Sequence, residues 1–206
     1  MSDLVVEPRV ATASDRNLAF LLLGGGFLGL IASFVLVVEK IALIVDPDYV
    51  PSCSLNPVLS CGSIMQAEQA EVLGFPNPLI GVAAFPILMA TGAALLAGAG
   101  LARWYWWGLQ VGATLGLLFV GWLIFQSLYR IGALCPYCMV VWALVIPIWW
   151  YVTRRNLAAG VCGERMAKSR PVRVLHDGHG LALTILFAAV IILIAERFWT
   201  YWATLL

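Results

Sequence analysis

Five membrane-crossing helices, with no strand and no separate soluble domain, are what the composition and hydropathy of this chain require. Hydrophobic residues make up 62% of the 206 and charged residues only 11%, where a soluble domain carries about 25% charged. The mean hydropathy is +0.94. Apolar stretches bounded by polar or aromatic residues use nearly the whole length, so the chain reads as a single membrane domain, 1–206. A net charge of +1, with no basic aromatic patch, offers nothing to nucleic acid.

Met1 to Asn17 is a polar tail carrying Arg9 and Arg16. Ala19 to Val38 is apolar and long enough to cross a core of about 30 Å at about 1.5 Å per residue, and the first span is placed at about 19–45. No small-x-small cleavage site follows it, so it reads as an anchor and not a removed signal peptide. Gly25 and Gly29 lie four apart and either admit a close neighbouring helix or merely reflect how common glycine is in membrane helices. Glu39 and Lys40 mark the approach to the far surface. In the loop 46–77, Asp46 to Pro51 reads as an extended turn, and Cys53 and Cys61 flank Asn56-Pro57. Ser60 to Leu73 has the spacing of a short helix lying on the membrane surface.

Asn77 is the expected N-cap of the second span, at about 78–102, with Pro78 in the first turn and Pro86 bending it. Arg103 with Trp104, Trp106 and Trp107 forms an interfacial belt. The third span is placed at about 104–129. Arg130 to Leu134 is a very short turn, which makes spans three and four antiparallel neighbours. The fourth span, about 135–153, ends in Trp149, Trp150 and Tyr151. A basic loop, 154–180, leads to the fifth span at about 181–203, which is anchored by Phe198, Trp199, Tyr201 and Trp202.

Basic residues orient the spans. With the N-terminus cytoplasmic, the inner segments hold Arg9, Arg16, Arg103, Arg154, Arg155, Arg165, Lys168, Arg170 and Arg173. The outer ones hold only Lys40, Arg130 and Arg197. Cys53, Cys61, Cys135 and Cys138 then share the extracytoplasmic side. Cys162 is alone inside, in a loop with His176 and His179, where a metal site is a far weaker reading than a solvated basic loop.

The chemistry concentrates at Cys135-Pro-Tyr-Cys138, where a polar turn becomes an apolar helix. Pro136 suits the first helical position, which makes Cys135 the N-cap. Unpaired N–H groups and the helix dipole favour a thiolate there, and the thiolate is the reactive species. Half of a zinc site and an inert bridge are the rival readings, and zinc normally takes four ligands. Two outer pairs, one on a loop and one at a helix start, suggest a relay by thiol–disulfide exchange. The site lies beside lipid and the sequence holds no haem, dinucleotide or iron–sulfur motif, so a lipid-soluble quinone is the fitting electron acceptor.

The loop pair Cys53 and Cys61, the segment Asn77-Pro-Leu-Ile-Gly81 and Cys135-Pro-Tyr-Cys138 together resemble the vitamin K epoxide reductase family. Its bacterial, and particularly actinobacterial, members are nearest, and the resemblance covers roughly Ser33 to Tyr151. It implies that four of the five helices form a catalytic four-helix bundle. It also implies that Cys53 takes electrons from a partner protein, Cys61 relays them to Cys135, and Cys138 faces the quinone. Asn77 matches an asparagine that hydrogen-bonds a quinone oxygen, although the residues alone favour a helix cap. Trp142 stands where vertebrate relatives have a tyrosine with a polar contact, and an indole N–H donates but does not accept. Ser63 is the candidate for a hydroxyl residue common after the second loop cysteine.

A fused thioredoxin-like domain is found in some members. This chain stops at Leu206, so the expected partner is a separate DsbA-like thioredoxin-fold protein, in the periplasm or envelope. The implied activity is reoxidation of that partner at the bacterial plasma (inner) membrane, with menaquinone or ubiquinone as acceptor. Reduction of quinone or quinone epoxide for its own sake is the alternative, as is an assembly factor with structural disulfides. A metal transporter would want ionisable groups inside the spans, and spans two to four have none.

Overall fold

The computed structural model describes residues 13–161 and 179–203; Cys162, His176 and the His179 side chain lie outside what is described. All regular structure in these residues is helical, and five helices are long and apolar enough to cross a membrane. They are α1 (Ala13–Val45), α3 (Pro78–Leu96), α4 (Arg103–Gln126), α5 (Pro136–Ala158) and α6 (His179–Arg197). Two short ones complete the set, α2 (Cys61–Met65) in the cysteine loop and α7 (Trp199–Ala203) after α6.

Between α1 and α3 the backbones meet closely. A Cβ on Gly92 would come within 2.6 Å of the Ala19 carbonyl oxygen and the Leu23 nitrogen. One on Gly29 would collide with the Phe85 ring, whereas one on Gly25 would find 3.3 Å to Ile148. Of the two glycines the sequence offered for close packing, Gly29 is the one that demands it. Such approach matters in lipid, where van der Waals contact and not water exclusion holds helices together. α5 packs on both α1 and α4, but α3 and α4 barely touch. The bundle is therefore left open along one seam.

α4 and α5 are also joined by polar side chains. Asn156, fully buried, donates to the Trp106 carbonyl oxygen and to Gln110 Oε1, and Gln110 donates to Thr153. α6 is peripheral and buries none of its apolar window inside the protein. Its end is tied down, where Ile194 packs on the core, Arg197 Nε donates to the Leu128 carbonyl oxygen at 2.7 Å and the following Phe198 enters the core beside Leu134 and Trp142.

Several local expectations are adjusted. The second helix stops at Leu96, and Gly98 follows at φ 81. The third ends in a π turn, Ser127–Ile131, closed by Gly132 at φ 72, whose N–H reaches back to the Ser127 carbonyl. Only glycine adopts that φ cheaply. The expected surface helix 60–73 is broken into α2 and a 3-10 turn, Glu68–Glu71. Ser60 caps α2 by accepting from the Ser63 N–H. Asn77 does not cap α3: its backbone is already helical, and its side chain is used elsewhere.

Candidate functional site

Every cysteine among the described residues lies at one end of the bundle. Asn56 accepts from the N–H groups of Val58 and Leu59, which folds the loop back past Pro57. Leu59 then pairs in parallel with Leu134: the Leu134 N–H donates to the Val58 carbonyl at 2.7 Å and the Ser60 N–H to the Leu134 carbonyl at 2.9 Å. This strap fixes the residue before Cys61 against the residue before Cys135. Cys53 and Cys61 are joined in a disulfide, while Cys135 and Cys138 are free thiols.

Cys61 Sγ stands 2.9 Å from Cys135 Sγ. The sulfurs of Cys53, Cys61 and Cys135 all lie within 4.8 Å of one another. A near-attack arrangement for exchange has reacting atoms about 3–3.5 Å apart, so Cys61 and Cys135 are in place to exchange. With two of the three sulfurs bonded to each other, this set presents a single thiol and no tetrahedral thiolate cage.

Cys135 opens α5 in an extended conformation, φ −111 and ψ 122, with Pro136 in the first turn, as the sequence required of an N-cap. Its thiol lies below the ordinary range, chiefly because the Cys138 thiol hydrogen-bonds to it; the N–H groups of Cys138 and Tyr137 add to this, against burial and the Glu39 charge. Helix start and partner thiol together stabilise the thiolate.

A cavity of about 490 Å³ begins at these cysteines. Cys135, Cys138, Asn77 and Trp142 sit at one end of it, and Trp104 and Tyr105 line the other, so it follows most of α4. Its wall on α4 alternates side chains such as Leu109, Phe119 and Val120 with Gly108, Gly112 and Gly116, which recur at one helical face, and a Cβ on Gly108 or Gly112 would meet nothing within 4 Å. It lies at the seam where α3 and α4 part. Size and apolar lining with a few polar groups at one end are those of a small-molecule site.

The polar candidates behave differently from one another. Asn77 lines the cavity, but its Nδ2 donates to the Gln69 carbonyl at 2.7 Å and its Oδ1 accepts from the Val72 N–H at 3.3 Å, closing the surface turn. Trp142 is 3% exposed, and its indole N–H has no partner within the protein. Ser63 is exposed, with its hydroxyl against that of Ser60 at 2.9 Å, away from the cavity.

The model of the vitamin K epoxide reductase family matches residues 20–153. The chain belongs to that family. No curated protein matches it. The family span takes in α1 through most of α5, the part that carries the cysteines and the cavity, and leaves α6 outside. The protein is thus a membrane oxidoreductase acting on thiols in a family linked to quinone, with the all-helical, five-span fold that the sequence required.

One carboxylate escaped the sequence reading as anything but an interface marker. Glu39 is 7% exposed at the outer reach of α1. It accepts from the Tyr49 hydroxyl at 2.9 Å, from the Ser52 N–H at 3.3 Å and from the Ser52 hydroxyl. The first of these raises the Tyr49 phenol above its ordinary value. Its only signal was a charge at the end of an apolar run.

Proposed function

We propose that this protein reoxidises a DsbA-like thioredoxin-fold protein and passes the electrons through two cysteine pairs to a membrane quinone. The observation that carries the reading is the 2.9 Å contact of Cys61 with Cys135 above an apolar cavity lined by Cys138. A dithiol of the partner reduces Cys53–Cys61 through a mixed disulfide at Cys53. The Cys61 thiolate then attacks Cys135 of the oxidised inner pair, and Cys138 leaves as a thiolate. Attack of Cys53 on Cys61 releases Cys135, so the outer disulfide is restored and the inner pair holds two electrons. The structure has the redox state that follows this step.

A quinone in the cavity supplies a two-electron acceptor. The residues suit one: the wall is apolar, the seam between α3 and α4 faces lipid, and the unpartnered Trp142 N–H is a donor. Asn77 has a second amide hydrogen for the same end. The length of the cavity along α4 favours a prenylated quinone such as menaquinone or ubiquinone. We place the cysteine end outside the plasma membrane, on the nine-to-three division of basic residues named above. The test is quinone reduction by purified protein with a reduced thioredoxin-fold donor. Turnover by the wild type and none by Cys138→Ser supports the reading; static disulfides that never turn over return it to a structural role.

A further inference from the structure

The outer disulfide is closed to solvent. Cys53 is 5% exposed and Cys61 fully buried, packed among Leu36, Leu43 and Met65. Exchange with a soluble protein needs access to the sulfur. The arrangement that sets Cys61 against Cys135 is therefore not the one a partner meets, and something must hold the first and release it for the second.

The end of α1 supplies that hold. Two consecutive residues grip the two flanks of the cysteine loop. Glu39 accepts from Tyr49 and from both donors of Ser52, immediately before Cys53. Lys40 donates to the Met65 carbonyl at 2.7 Å and pairs with Glu71 at 2.8 Å, beyond Cys61. The two grips differ in kind. The Lys40 pair includes an exposed carboxylate, whereas Glu39 is a buried carboxylate whose named donors all come from the loop. Burying a carboxylate is unfavourable unless donors surround it, so Glu39 ties the segment strongly while it is closed. Ser52 itself is exposed, so water can replace its donors to the carboxylate once the segment lifts.

We propose that Glu39 is a positioning residue for the relay: it holds the segment carrying Cys53 inward, so that Cys61 meets Cys135, and its release of Tyr49 and Ser52 uncovers Cys53 to the protein dithiol. The inference rests on the relay reading above and adds to it the residue that governs the exchange between its two positions. Weakening the hold quickens reduction of the outer pair and lowers linkage to the inner one, and rescue by restoring the hydroxyl at position 52 separates this from loss of structure.

The experiment takes the full chain in detergent or membranes and makes Glu39→Gln, which keeps size, removes the charge and turns one of the two acceptor oxygens into a donor. Ser52→Ala is the milder second variant on the exposed side, with Ser52→Thr as the rescue that keeps the hydroxyl. The first readout is the rate at which a charged, membrane-impermeant phosphine reduces Cys53–Cys61. The second is the yield of the Cys61–Cys135 link in a Cys138→Ser background. Glu39→Gln should speed reduction about fivefold, the factor for one lost hydrogen bond, and lower the link yield. Ser52→Ala should follow in the same sense and Ser52→Thr should revert. Unchanged rates, or reduction and linkage falling together, overturn the role of Glu39. Absence of the link even with Glu39 intact overturns the relay instead, and the reduction rate then still decides whether Glu39 holds the segment.

Discussion

Cys61 and Cys135, 74 residues apart in the chain, bring their sulfurs to 2.9 Å. The contact is not a chance of two mobile loops. Leu59 pairs with Leu134, so each cysteine follows a residue hydrogen-bonded into the same short ladder. Asn56 shapes the turn on one side, and Gly132 with the Arg197 tie at Leu128 shapes it on the other. The outer and inner pairs are thereby joined through one sulfur of each.

That contact predicts which intermediate can be trapped. In Cys138→Ser the Cys135 thiolate attacks Cys61 of the closed pair, Cys53 leaves as a thiolate, and serine cannot attack Cys135 to break the new bond. A Cys61–Cys135 linkage should then accumulate, visible by mass spectrometry of non-reduced digests. Peptides still joined as Cys53–Cys61, with Cys135 free even when a reduced partner is present, would remove the basis for a two-pair relay.

The second prediction concerns the Cys135 thiol. Its pKa is drawn down first by the Cys138 thiol and then by the N–H groups of the helix start. A lowered value leaves thiolate present as pH falls through the ordinary thiol range, with reactivity lost only below it. Cys138→Ala deletes the largest cause, so burial and the Glu39 charge raise Cys135, and alkylation should fade at higher pH. Cys138→Ser retains a hydroxyl donor and should shift less. The check is the pH profile of Cys135 alkylation in a Cys162→Ser background. Identical profiles for the alanine and serine variants would show that the helix start alone sets the thiol.

Much of this was legible in the sequence because it is written locally. Apolar runs such as Ala19 to Val38 specify their own helices, since a backbone in lipid must satisfy its hydrogen bonds within the segment. Cys135-Pro136 likewise carries its N-cap and first helical turn in adjacent residues. What could not be read depends on residues far apart. The strap needs Val58 and Leu134 to meet, and nothing in either stretch names the other. Glu39 looks like an interface charge until Tyr49 and Ser52 fold onto it. Asn77 was expected to cap the helix it precedes, but its amide turns back to Gln69 and Val72. The cavity is the most hidden of all, because it is a place where α3 and α4 fail to meet. Only the recurrence of Gly108, Gly112 and Gly116 hinted at open space beside α4, and glycine is common in membrane helices for other reasons.

Those glycines give the last prediction, which sets two substitutions against each other. Gly112 lines the cavity, and a Cβ there meets nothing within 4 Å. Gly112→Leu should therefore fold as the wild type does, with stability unchanged or slightly raised by better helix propensity, up to about 1 kcal/mol. Its side chain would occupy space along α4 that we assign to the acceptor, so KM for quinone should rise by roughly tenfold, or about 1.4 kcal/mol. Formation of the Cys61–Cys135 link in a Cys138→Ser background should be untouched. Gly92 also lies in a membrane helix, but there a Cβ would stand 2.6 Å from the Ala19 carbonyl oxygen. Gly92→Ala should force α1 and α3 apart and cost about 1–3 kcal/mol of stability, read as a lower unfolding temperature in detergent. Its quinone KM, measured at a temperature where the variant is folded, should change far less than that of Gly112→Leu. The pair separates a ligand wall from a packing seam. Equal quinone KM for Gly112→Leu and wild type would mean that the acceptor does not lie along α4.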